Sequence, residues 1–457
     1  MNKKLKHENK QMKYSEQFFY LPGEKYVVRK TEKVIFLVGL YIMISLISFG
    51  KGKDEGRNGY RNSVYKEEIK SVQIFPEGNE FLNPVMELNS NVPLILKFDD
   101  LSSSVKNYSY TIIHCDADWN ESAVIQTEYM DGFPDNPLDD YAFSSNTTMR
   151  YVNYMLTIPN ENVKLKYSGN YVIIVFEDND RDDPVLTRGF QVLEPLVGIE
   201  SQVKRATFDA YKGSNQEVDF EVYTNNLQIR DPNIEVKVVV TQNQRWDNAI
   251  TNLKPLFIRD KSLSYDYNRE NVFPGGNEFR WFDIRSDKNP GENVRSIEFH
   301  RPYYHATLAT DEVRSNKKYF SAKEMNGKYA IECRDQGQDY DTECDYTFVH
   351  FTLPLPTQLV GGSVNVFGAL TDWNANKSNQ MTWDRETSSY NLTMLLKQGY
   401  YNYEYVYVPA GSDVADATNI EGSFYETEND YQIYVYFRSM GSQYDRLVGF
   451  QEINSQK

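Results

Sequence analysis

From residue 67 onward, almost every apolar run of this chain alternates with polar residues at a period of two. In IEVKVVV, Ile234 to Val240, the residues Ile234, Val236, Val238 and Val240 share one face, and in NLTMLLK, Asn391 to Lys397, Leu392, Met394 and Leu396 do the same. Successive side chains of a strand point to opposite sides of its sheet, so this period builds half-buried strands. No stretch carries the longer period of an amphipathic helix. The 35 tyrosines and 25 phenylalanines reinforce the reading, because rings pack well on pleated surfaces. The pattern predicts an all-β protein.

Polar punctuation divides the strands into three blocks, and a chain of 457 residues has room for two to four domains. The first block, 67–194, closes with the hairpin GNYVIIVFEDNDRDDPVLTRGFQVLEP, two apolar runs around an acidic turn. LVGIESQVKR after Pro195 reads as a linker into a second block, 196–341, with TFDAYKG, EVDFEVYT and SIEFHRPYY. The third, 342–457, opens with YTFVHFTLPLP, in which Val349, Phe351 and Leu353 alternate inward. Short strands at regular spacing with polar turns predict three consecutive immunoglobulin-like, early-set type β-sandwich domains.

Before these blocks, basic VVRKTEK, Val27 to Lys33, runs into apolar VIFLVGLYIMISLISFG, Val34 to Gly50, followed by polar KGKDEGRNGY. The apolar run falls short of the ~20 residues that span a bilayer comfortably, which favours an export signal within 1–50 and a linker at 51–66. An uncleaved anchor at 34–50 is the alternative. Residues 1–33 hold nine Lys/Arg against four Asp/Glu, so the net charge of −16 leaves −21 for the rest. Nothing downstream concentrates positive charge, which argues against nucleic-acid binding.

Export bears on the cysteines, since an oxidising compartment permits disulfides. Cys333 and Cys344 bracket the polar loop RDQGQDYDTE and are a candidate pair; a bridge there adds about 3 kcal/mol by constraining the unfolded chain. Cys115 stays single. Five histidines, His7, His114, His300, His305 and His350, stand without a G-x-S-x-G or comparable nucleophile motif, so no catalytic residue, cofactor or metal is assigned. HCDADW, His114 to Trp119, has the residue types of a metal site, but adjacent strand side chains point apart, and it reads as a strand entering a loop. EDNDRDD, Glu177 to Asp183, spaces Asp178, Asp180 and Asp182 as calcium loops do, yet Asp183 and Gly189 stand where that loop needs Gly and Glu. It reads as a solvated turn.

In the last block, VFGALTDWN (Val366 to Asn374), then MTW (Met381 to Trp383) and GYYNYEYVY (Gly399 to Tyr407), resemble the early-set sandwich of glycogen-binding modules. That resemblance implies a sugar platform made by Trp373 and Trp383, against the plainer reading of two rings packed on strand edges.

A wider resemblance runs through YTIIHCDADWNES, EYMDGF, DYAFSSNTT, YMLTIPN and LKYSGNYVIIVFEDNDRDDPVLTRGFQV, with GGNEFRWFDIRS, FHRPYYH and VNVFGALTDWN following in order. Together they resemble the plug protein family of the Bacteroidota type IX secretion system, across roughly 67–450. The resemblance implies a non-enzymatic periplasmic protein that blocks the mouth of a large outer-membrane β-barrel translocon. It implies no cofactor and, once a signal is cleaved, no membrane span. A periplasmic or surface carbohydrate-binding protein using Trp373 and Trp383 is the competing expectation.

Overall fold

The computed structural model describes residues 62–224, 227–335, 337 and 339–456, and the backbone of 19–21 and 24–26. The chain divides into two compact units, Met1–Arg57 and Asn58–Lys457. In the first, Phe19–Leu21 pairs antiparallel with Glu24–Tyr26. The expected export segment at 34–50 lies outside the described residues, as does the start of the expected linker. That linker's end is not free: Ser63–Val64 pairs with Thr187 and Leu186, and the Asn62 side chain accepts the Gly189 backbone N–H at 2.8 Å.

The second unit is all-β, with helices of only three or four residues among the described segments. The first core lies between the sheet of Ile69–Pro76, Leu94–Asp100, Val152–Ile158 and Tyr141–Phe143 and the strands Tyr108–Cys115, Gly169–Glu177 and Pro184–Leu193. Leu94, Leu96 and Phe98 from one layer meet Ile112, Tyr171, Ile173 and Phe190 from the other. Their period of two is the alternation seen in the sequence.

The other two cores do not follow chain order, which corrects the boundary expected at 342. The C-terminal hairpin, Asp430–Phe437 and Arg446–Asn454, pairs with Val236–Gln242 on one side and touches Pro184–Leu193 at Leu193↔Leu447 on the other. It therefore sits inside one long sheet shared by the first and second cores. The second core unites Val218, Phe220, Val236, Val238 and Val240 with Tyr431, Ile433, Val435, Phe437 and Val448. The reason is edge chemistry: Val236–Gln242 is buried along nearly its whole length, with Val236, Val238 and Val240 in this core and Val239 packed on the other side, and without the hairpin it would expose a row of unpaired backbone groups. Conversely, Phe282, Ile284, Val294, Ala306, Leu308, Ile331 and Cys333, expected in the second block, belong to the third core with Val349, Phe351 and Leu353.

Two local expectations also change. Gly198–Arg205, expected as linker, is a strand paired with Asn215–Tyr223; it is largely wet, with Ile199 and Val203 as its apolar contacts, so its pattern is weak. Ile234 is 68% exposed and lies in the short helix Pro232–Glu235, where Asp231 accepts the Asn233 backbone N–H, so the buried face begins at Val236.

Candidate functional site

Trp119, on the turn after Tyr108–Cys115, and Trp246, in the strand Arg245–Ile250, belong to the long sheet, and they meet Trp373, on the turn after Gly362–Phe367, in one cleft. Trp119 follows the strand Tyr108–Cys115 in a left-handed conformation (φ +63°). Its ring lies over Gly189, where an added Cβ would be 2.7 Å from the indole. Trp119 packs edge-on against Trp246 with centroids 5.2 Å apart, and Trp246 leans on Tyr434. Trp373 leaves a short turn at Ala369–Thr371, also left-handed, and packs edge-on against Phe279 and Phe367.

Beneath these rings Arg188, only 2% exposed, donates to Asp372 Oδ2 at 2.8 Å and to the carbonyls of Thr187 and Ser63. Burial pushes the Asp372 carboxyl up, and the guanidinium pulls it back. Beside the cleft, Arg245 forms two hydrogen bonds to Asp247, donates to the Ala415 carbonyl and lies 3.5 Å from Glu404 Oε1. That last separation is an ion pair but not a hydrogen bond, and Glu404 Oε1 has no hydrogen-bond partner. Burial lifts the Glu404 carboxyl to about 7, against the pull of Arg245. Asn83 Oδ1 and Gln191 Oε1 line the cleft, buried and without a partner. Aromatic faces plus orphan acceptors suit a ligand that brings N–H or O–H donors and a flat or apolar surface.

A second junction is closed. Tyr346 and Lys397 are register partners across an antiparallel pair, so both side chains reach the same point. There Lys397 Nζ lies 2.7 Å from Asp99 Oδ2, the Tyr346 hydroxyl donates to the same oxygen at 2.7 Å, and Asn153 Nδ2 donates to Oδ1 at 2.8 Å. Lys397 also donates to the Asp341 carbonyl and sits 4.4 Å above the Tyr151 ring. Burial first, then Asp99, holds the Tyr346 phenol well above its usual range, keeping it a donor. Asp345 accepts the backbone N–H groups of Thr148 and Met149, and Tyr151 donates to the Cys344 carbonyl.

Of the residues singled out by sequence, Trp373 lines the cleft, whereas Trp383 pairs with Tyr390 on an edge strand against the third core. The two rings belong to different clusters and make no platform. Trp119 and Trp246 were missed. Each follows a turn, in HCDADW and TQNQRW, but no local signal says that such turns meet. Cys333 and Cys344 are buried free thiols in hydrogen-bond contact, and that contact and burial push the Cys344 thiol well up. HCDADW is a strand end: Asp116 Oδ1 accepts the backbone N–H groups of Asp118 and Asn120. In EDNDRDD, Asp183 pairs with Lys66 at 2.6 Å, and Asp180 Oδ1 accepts the Asp182 N–H.

His114 Nε2 donates to the Ser168 carbonyl at 3.2 Å, leaving Nδ1 to accept from the Ser122 hydroxyl at 2.9 Å. Burial holds this imidazole down to about 4, far from the value near 7 that suits a general base. Glu217, Asp219 and Asp266 cluster closely enough for a cation, and the Lys204 ammonium already occupies that place, 3.1 Å from Glu217.

These features define an all-β body of three cores, jointed by buried ion pairs. Residues 69–194, which hold every buried residue of the first core, match the family model described as "Type 9 secretion system plug protein 1st domain". A solved structure of a hypothetical protein from Parabacteroides merdae is 39% identical, with a TM-score of 0.84, over 87% of this chain and 99% of that one. No curated protein matches the chain. The chain belongs to the type 9 secretion system plug protein family.

Proposed function

We propose that this chain closes the periplasmic opening of the outer-membrane type 9 secretion translocon while no substrate is passing, without catalysing a reaction. The family match across residues 69–194 carries the reading. The bracing of the cores supports it: Asp99–Lys397 and Arg188–Asp372 tie residues far apart in sequence into one body. A compact body of about 400 residues has a radius of gyration near 21 Å, enough to obstruct a pore wide enough for folded cargo. No helix among the described residues is long and apolar enough to cross a membrane. Retention at the barrel then rests on a protein–protein interface, about 1,600 Å² in total for a stable complex. The charge of −21 beyond residue 33 suits a basic rim on the translocon and makes association weaken with salt.

Deletion tests the reading directly. Cells lacking the chain should admit an otherwise excluded probe through the outer membrane, and resupplying it should restore the barrier; unchanged permeability overturns the proposal. Recovery of the barrel with tagged chain should fall as salt rises, and a constant yield removes the charge contribution.

A further inference from the structure

Three of the chain's five histidines stand on one outward face of one sheet. The strands Val294–His300, Tyr303–Leu308, Tyr346–Pro354 and Ser389–Lys397 lie side by side in that order. Their registers set Glu298 opposite His305, Thr307 opposite His350, and His350 opposite Thr393. Because side chains two residues apart share a face, His300, His305, His350, Glu298 and Thr393 project together. The neighbours Ala306 and Val349 point the other way into the third core.

His305 Nδ1 lies 2.9 Å from His350 Nε2, and the two rings are nearly coplanar, 10° apart. His350 Nδ1 lies 2.9 Å from Thr393 Oγ1, and the His300 ring centroid is 5.0 Å from that of His305. His300 Nε2 is 3.0 Å from Glu298 Oε2, and both side chains are more than half exposed and free to swing.

We propose that this face is a binding site for a borderline divalent transition ion of the zinc class, with His305 Nδ1 and His350 Nε2 as the fixed ligands. Imidazole pairs are the donors that such ions prefer. In the tautomer whose His350 Nδ1–H donates to Thr393, the His350 Nε2 carries the lone pair and accepts the proton of His305 Nδ1. The ion takes the place of that proton, which moves to His305 Nε2, so both ligands stay neutral. Around a tetrahedral ion the two nitrogens stand about 3.3 Å apart, a few tenths of an ångström beyond the present separation. His300 or Glu298 supplies the third ligand by rotation, and water the fourth. Thr393 orients His350 from behind, as outer partners of metal-bound histidines do. Magnesium, which prefers oxygen ligands, is excluded.

The test uses the full chain without a polyhistidine tag, stripped with chelator and titrated calorimetrically with zinc chloride. One ion per chain should bind, and magnesium chloride should give no heat. His305→Gln with His350→Gln should weaken zinc binding by roughly 100-fold, and Thr393→Val by about tenfold. Cobalt(II) separates this site from the cysteines: the visible band of a nitrogen-ligated ion should form without the near-ultraviolet band of thiolate ligation. Equal thermal unfolding of parent and double variant in chelator establishes that the variant folds. Absence of zinc binding, unchanged affinity in the folded double variant, or a thiolate band on cobalt each overturns the proposal.

Discussion

The two junctions between cores are built on opposite terms. At Asp99 every oxygen of a buried carboxylate has a donor, from Lys397, Tyr346 or Asn153. In the tryptophan cleft Asn83 and Gln191, and beside it Glu404, keep buried oxygens without hydrogen-bond partners. A fully satisfied buried network fixes geometry, while orphan acceptors cost free energy until something supplies donors. The first junction is a closed brace; the second is an open cleft lined by rings and buried polar groups.

The largest way to break this contrast is Asp99→Ala. It strands the Lys397 ammonium in a dry site and should cost about 3–5 kcal/mol in urea unfolding; a loss below about 1 kcal/mol, the range of exposed pairs, would deny the brace. Next to it, we propose that Cys333 and Cys344 pair under oxidising conditions. Peptide mapping without reductant should find the bridge, with about 3 kcal/mol of stability lost on reduction; two alkylatable thiols in chain from the periplasm would contradict it.

Beside the open junction, Glu404→Gln probes a buried acid whose Oε1 is ion-paired with Arg245 but has no hydrogen bond. Its folded value of about 7 lies above the usual carboxyl value, so the native state holds the proton more tightly than the unfolded chain. The group therefore costs nothing below about pH 4.5, costs more as pH rises, and reaches its full penalty above 7. Parent and variant should match near pH 4.5, and the variant should be up to about 3 kcal/mol more stable at pH 8. A pH-independent difference would refute the burial argument. Gly189→Ala places a methyl into the Trp119 ring and should cost about 1–3 kcal/mol, with a changed near-ultraviolet circular dichroism from the Trp119–Trp246 pair. The smallest effect belongs to exposed Lys66–Asp183: Lys66→Ala should change stability by no more than about 0.5 kcal/mol, which calibrates the buried pairs.

Strand placement was legible where a strand alternates between a buried and a wetter face, or where two apolar runs flank a polar turn. Val349, Phe351 and Leu353 point inward as their alternation requires, and Gly169–Glu177 with Pro184–Leu193 forms the expected hairpin. The pattern misled at Ile234, where a helical turn takes the residue before the strand begins, and at Gly198–Arg205, where two apolar residues are too few to signal a strand. Partnership between distant strands was not legible, because alternation specifies which face is buried and not against what. The same gap hid the cleft: Trp373 was visible beside its turn, but its neighbours Trp119 and Trp246 come from strands that only the long sheet brings near. The histidine face needed the register of four strands, which no local window contains.

The hairpin at Asp430–Asn454 has a consequence for how the molecule is made. Five buried residues of the second core arrive with it, and at about 1.5–3 kcal/mol for each large apolar side chain they match the entire net stability of an ordinary domain, roughly 5–15 kcal/mol. During synthesis or export, then, the first core can close as soon as its own residues emerge. The second must wait, half-built, until the last two strands thread home, and any protease or premature stop acting in that interval strikes a protein that has an unfinished middle and a finished front.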